Sequence, residues 1–99
     1  MHIAPEHLAL LKRILSIHLP ETEVWAFGSR VCGQPSAASD LDLVAFSDDD
    51  NALFLAREAL DESDLPFRVD LLQWSALPEN MRRQIQQCYE TLLTGKTHD

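Results

Sequence analysis

Ninety-nine residues, 45% hydrophobic and 24% charged, place the chain among ordinary globular proteins and predict one domain over residues 1–99. Sixteen acids against eight Lys plus Arg give a formal net charge of −8, which argues against long nucleic acid as the direct ligand, because phosphate contacts need a basic surface. The charge suits a protein that binds metal ions or a basic partner, and it also serves solubility alone.

The first predicted element is a helix over 5–19, where Leu8, Leu11, Leu15 and Leu19 recur at steps of three and four and Ile14 widens the stripe. Pro5 suits its first turn and Pro20 its stop. Glu23 to Phe27 predicts a strand that ends at Gly28. Residues 29–39, with Gly33, Pro35 and three serines, predict a loop with at most one helical turn. Residues 41–46 predict a second strand. One of Ser47, Asp48, Asp49 and Asp50 is expected to cap the next helix, and its acids suit the positive N-terminal end. That helix is expected to run to about 62 and to bury Leu53, Ala56 and Leu60. Phe67 to Gln73 predicts a third strand. A last helix is expected over about 78–93, with Met81, Ile85, Cys88 or Tyr89, and Leu92 on one stripe and Gly95 as its cap.

Helices alternating with short strands imply a mixed α/β fold: a sheet of three strands or slightly more, with helices packed on it. The second and third strands, joined through a helix, should run parallel by a right-handed crossover. Cys32 and Cys88 lack metal-ligand spacing and are expected to be free thiols in a reducing compartment. No segment approaches the ~18 apolar residues of a membrane span, and the N-terminus lacks an apolar core of signal-peptide length, so a cytoplasmic location without a membrane partner is expected.

The chemistry concentrates in the segment from Ala26 to Phe46, where Asp40-Leu41-Asp42 interrupts a run that otherwise reads as buried. Strand residues two apart face the same side, about 6.5–7 Å apart along the strand. Two carboxylates there repel each other and are costly to desolvate. A divalent cation such as Mg²⁺, which needs only one or two protein carboxylates, relieves both costs. Asp70, in the middle of the third predicted strand, would reach the same place if that strand lies beside the second. Three carboxylates on adjacent strands meet the needs of a two-metal phosphoryl-transfer centre. Gly28 permits close approach of a ligand to the backbone. A helical turn from Ser29 would offer N–H groups and a hydroxyl to phosphate, and Arg30 would offer positive charge. For these groups to meet the acids, the first two strands must be antiparallel. Gly-Ser, ten residues, then Asp-x-Asp should arise by chance on the order of once in a thousand chains of this length.

Gly28-Ser29, Arg30, Gly33, Asp40-Leu41-Asp42 and Asp70 together resemble the signature of the polymerase-beta-type nucleotidyltransferase superfamily. The short length resembles its minimal nucleotidyltransferase members, many of which are antitoxins paired with HEPN-domain ribonuclease toxins. The resemblance implies a polymerase-beta-like fold, ATP as substrate, two Mg²⁺ held by Asp40, Asp42 and Asp70, and phosphate contacts from Gly28, Ser29 and Arg30. It also implies transfer of AMP to a tyrosine hydroxyl of the toxin, with Asp70 helping to deprotonate the acceptor, in a hetero-oligomer with that toxin. Family members often carry a second basic residue where this chain has Cys32. Two other functions use the same residues: an antitoxin that acts by docking alone, and a metal-dependent phosphohydrolase. His7, His18, Trp25 and Trp74 read as surface or packing residues rather than ligands.

Overall fold

The computed structural model describes residues 3–33 and 40–95. Its elements follow in the order α1 (Pro5–His18), β1 (Glu23–Phe27), α2 (Ser29–Cys32), β2 (Leu41–Ala45), α3 (Asp50–Asp61), β3 (Val69–Gln73), a 3₁₀ turn (Trp74–Ala76), α4 (Glu79–Gln87) and β4 (Glu90–Thr94). The four strands form one mixed sheet in the order β3-β2-β1-β4. β1 is antiparallel to both β2 and β4, while β2 and β3 run parallel, joined through α3. The expected strand directions hold, and the sheet is one strand wider than its three predicted strands. Among the described residues no helix is long and apolar enough to cross a membrane.

Alternation along the strands divides the sheet into two faces. Val24 and Ala26 of β1, Leu41, Leu43 and Ala45 of β2, and Leu71 of β3 join Leu11 and Leu15 of α1, Leu19 just beyond it, and Leu53, Ala56 and Leu60 of α3 in the main core. The leucine stripe of the first helix and the three apolar positions of the third are therefore buried as the periodicity requires. The Asp49 carboxylate caps α3 by accepting from the Ala52 N–H at 3.0 Å.

The second face carries Trp25, Phe27, Asp42, Val44, Asp70 and Leu72, which are cross-strand neighbours in the registers Trp25↔Val44, Phe27↔Asp42, Asp42↔Asp70 and Val44↔Leu72. Val44 is fully buried yet stands outside the main core cluster. An aromatic group shields this face at the far end of β2: Trp25 stacks on Tyr89 at 3.8 Å between ring centroids and meets Phe46 at 4.5 Å and Trp74 at 5.5 Å. Trp25 and Trp74 thus serve packing.

Two expectations fail at the C-terminal end. The helix expected over 78–93 stops at Gln87, and 90–94 form β4 on the free edge of β1. Glu79 to Gln87 is rich in helix formers, whereas Thr91, Thr94 and Tyr89 suit a pleated surface, and the unpaired β1 edge supplies hydrogen bonds that a longer helix would leave unmade. Gly95 consequently follows a strand and caps no helix; its φ of 85° brings it close to the backbone of Glu23. The cysteines are not free thiols: Cys32 and Cys88 form a disulfide, with their Cα atoms 6.0 Å apart. Fifty-six positions separate them, so no local spacing could announce the pair.

Candidate active site

Gly28 is the hinge between β1 and the site. With φ 89° and ψ −164° it occupies a region essentially reserved for glycine. A Cβ at this position would run into the Asp42 carboxylate. The main chain at 28 and the Asp42 side chain are therefore in direct apposition, which is the close approach that a Gly at this spacing provides. From Gly28 the chain enters the single turn α2, where the Val31 and Cys32 N–H groups donate to the Gly28 carbonyl at 3.0 and 2.9 Å and the Gly33 N–H donates to the Ser29 carbonyl at 3.1 Å. The expected helical turn at Ser29 is present.

Asp42 is half-buried on β2 and aligned with Phe27 on one side and Asp70 on the other. Burial pushes its pKa above the ordinary carboxylate value, and the charges of Asp70 and then Asp40 push it further. All three acids therefore share one electrostatic site. Asp40 lies one residue before β2 and is exposed at the mouth of the site. The Asp70 carboxylate accepts from Arg68 Nε at 3.2 Å in a pair whose side chains are 36% and 74% exposed. Such an exposed pair contributes about 0.2–1 kcal/mol and is readily given up. Among the described residues no three His, Cys, Asp or Glu side chains form a ready-made metal cage.

Arg30 lies deeper than a loop arginine would be expected to lie. Only 8% of it is exposed, and its guanidinium sits over the Phe67 ring at 4.6 Å. The edge of the His7 ring meets Phe67 as well, with centroids 6.1 Å apart. Arg30 thus braces the α2 turn against the entry to β3.

A cleft of about 370 Å³ opens beside the turn, lined by Phe27, Gly28, Ser29 and Cys32 on one side and by Met81, Gln84, Ile85 and Cys88 on the other. The sequence does not mark the α4 wall of this cleft: Met81 and Ile85, one helical turn apart, have the spacing of an ordinary apolar stripe.

Three carboxylates provide hard oxygen donors, and the pKa of Asp42 is raised by burial first and then by the charges of Asp70 and Asp40. This donor set fits Mg²⁺, which Asp40, Asp42 and Asp70 would hold.

A sheet that sets paired acids against a glycine-led turn defines a nucleotidyl-transfer core. The chain belongs to the polymerase beta nucleotidyltransferase family, whose pattern matches residues 11–98. It is 47% identical over 93 residues to the Haemophilus influenzae protein named "Probable protein adenylyltransferase MntA", covering 90% of this chain and 81% of that one. Its fold also matches that of a chain from a toxin-antitoxin crystal structure with AMP-PNP, at a TM-score of 0.70 and 21% identity, over 91% of this chain and 73% of the other. The resemblance to the polymerase-beta-type nucleotidyltransferase superfamily read from the motif is borne out.

Proposed function

We propose that this chain transfers AMP from ATP to a hydroxyl, that of a tyrosine, on a partner HEPN-type toxin and thereby silences it. The observation that carries the reading is the juxtaposition of Asp42 with Asp70 across β2 and β3 and with Gly28 at the head of the Ser29 turn. The adenylyltransferase name of a relative at 47% identity supports the reaction type, and the toxin-antitoxin neighbour supports the kind of partner.

The Gly28 and Ser29 backbone and the Ser29 hydroxyl hold the β- and γ-phosphates, while Arg30 lends positive charge from behind the turn. Asp40, Asp42 and Asp70 are the residues that would hold two Mg²⁺, which when bound neutralise charge on the phosphate oxygens and help align attack. Asp70 accepts the proton of the acceptor hydroxyl. The hydroxyl oxygen forms a bond to the α-phosphorus as the bond to the bridging oxygen breaks, and pyrophosphate leaves. Release of Asp70 from Arg68 precedes its role as base.

The test is mass spectrometry of the co-expressed genomic neighbour after incubation with ATP, with a nucleotide titration in parallel. Wild type should add AMP to the neighbour. Asp70→Asn should retain most nucleotide binding and lose about 10²- to 10⁴-fold in labelling rate, the usual worth of a positioned base. Near-normal labelling by Asp70→Asn would remove Asp70 from the chemistry. A wild-type protein that silences the toxin without modifying it would favour docking alone.

A further inference from the structure

We propose that Cys32 and Cys88 form a redox-modifiable site that sets the width of the cleft beside Gly28 and Ser29, so that a dithiol reductant weakens nucleotide binding there. The identity of the ligand rests on the nucleotidyl-transfer reading above; the coupling of the two walls does not.

The two cysteines stand on opposite walls of the same cleft. Cys32 is the last residue of α2, and its N–H donates to the Gly28 carbonyl. The turn is one hydrogen-bonded unit from Gly28 to Gly33, so a displacement of Cys32 is passed directly to the Gly28-Ser29 backbone. Cys88 ends α4 and precedes β4. At its other end α4 is held by Arg82, which donates from Nε to the Trp74 carbonyl at 3.1 Å and from Nη2 to the Ser75 carbonyl at 3.0 Å. Between these ends Ile85 is the one buried residue of α4. The covalent bond is therefore the direct tie from the C-terminal end of α4 to the phosphate-binding turn. Both cysteines are exposed, which gives a reductant access to either sulfur. Exposed disulfides are the labile kind, in contrast to buried structural ones.

The exchange balances as an ordinary two-electron couple. A thiolate of the dithiol attacks one sulfur, the Cys32–Cys88 bond breaks, and a mixed disulfide forms. The second thiolate of the reductant then displaces the remaining cysteine. Two protons end on Cys32 and Cys88 as thiols, and the reductant leaves as its own disulfide. A low-molecular-weight disulfide such as oxidised glutathione reverses the exchange. In the reduced state the Cys88 end is still placed on β1 by the Tyr89–Trp25 stack and the Glu90–Ala26 pairing, but the α2 turn is no longer bonded to it, so the turn shifts relative to α4 and the cleft loses its fixed width.

The experiment compares the whole protein oxidised with glutathione disulfide and reduced with dithiothreitol, with free thiols counted by alkylation and mass spectrometry. Affinity for a non-hydrolysable ATP analogue with Mg²⁺ should fall at least about five-fold on reduction, the lower end of ordinary coupling between sites. Cys32→Ser/Cys88→Ser should show the reduced affinity whether or not reductant is present. Amide hydrogen exchange at residues 28–33 and 79–88 should rise on reduction with or without nucleotide. Equal affinities for verified oxidised and reduced forms would overturn the proposal and leave the transfer reading intact. Cysteines that stay as thiols in excess glutathione disulfide would also overturn it. If neither form binds nucleotide, increased exchange in both segments supports the redox site while the transfer reading fails. Unchanged exchange in that case overturns both.

Discussion

Asp42 bears a charge that the fold itself opposes, through burial first and then through Asp70 and Asp40. Its folded pKa is raised above 3.8, so between these two values the folded state binds more protons than the unfolded chain. Stability contributed by this residue therefore falls as pH rises through that window. The metal-free protein should gain on acidification a component that Asp42→Asn lacks, and the variant should melt higher than wild type near neutral pH. Thermal unfolding with chelator between about pH 4 and 7 measures the difference between the two proteins and so cancels the titration of the other acids. Addition of Mg²⁺ and ATP should raise the melting temperature of wild type and much less that of the variant. A variant that melts lower than wild type at neutral pH without metal would show that the carboxylate is satisfied when the site is empty. At this scale Gly28, Ser29 and Asp42 were legible because their constraint is local: a close backbone approach and a charge between apolar neighbours. The burial of Arg30 was not, because its partner ring, Phe67, is brought to it only by the packing of β3 beside β2.

The elements show the same division between local and distant causes. The start of α3 is written in Asp48-Asp49-Asp50, and each carboxylate has a separate task. Asp49 caps the helix, Asp48 accepts from the Ser75 hydroxyl at 2.8 Å, and Asp50 accepts from Gln73 Nε2 at 3.2 Å. The triplet thus joins the head of α3 to the end of β3 and the turn after it, and stands apart from Asp40, Asp42 and Asp70. Asp49→Ala should cost about 1 kcal/mol, the typical worth of an N-cap, visible as a lower urea midpoint. Nucleotide binding should be unchanged; a loss of binding with stability intact would give the triplet a role at the site. The break between α4 and β4 was not legible in this way. Met81, Ile85 and Leu92 fit one helical stripe, so periodicity continued the helix through Cys88. What ends it is the free edge of β1, reached across the whole chain. The strand also carries a register shift between Val24 and Trp25, which blurs the alternation that would have marked it.

Over the whole molecule, the parallel β2–β3 pair and the antiparallel β1–β2 pair follow from connection lengths and from the demand that Gly28 meet Asp42, so the arrangement of the site could be read before its surroundings. The disulfide could not, since two cysteines 56 positions apart become a pair only when the fold brings the end of α4 beside the α2 turn. Charge is the remaining global quantity. A net −8 is spread over 99 residues, and only three of the 16 acids are placed at the site. The others generate a long-range field that repels a second copy of the chain and attracts a basic surface. If the proposed partner presents such a surface, the field accelerates encounter more than it tightens the final complex. Raising ionic strength from about 50 to 500 mM shortens the screening length from roughly 14 to 4 Å and should slow association about ten-fold, with a smaller change in dissociation. Stopped-flow mixing of the separately purified partners measures both rates. Asp42→Asn removes only one of these charges and should associate at nearly the wild-type rate, which separates docking from chemistry. An association rate insensitive to salt would mean that apolar contacts alone bring the partners together and that the acidic surface serves solubility.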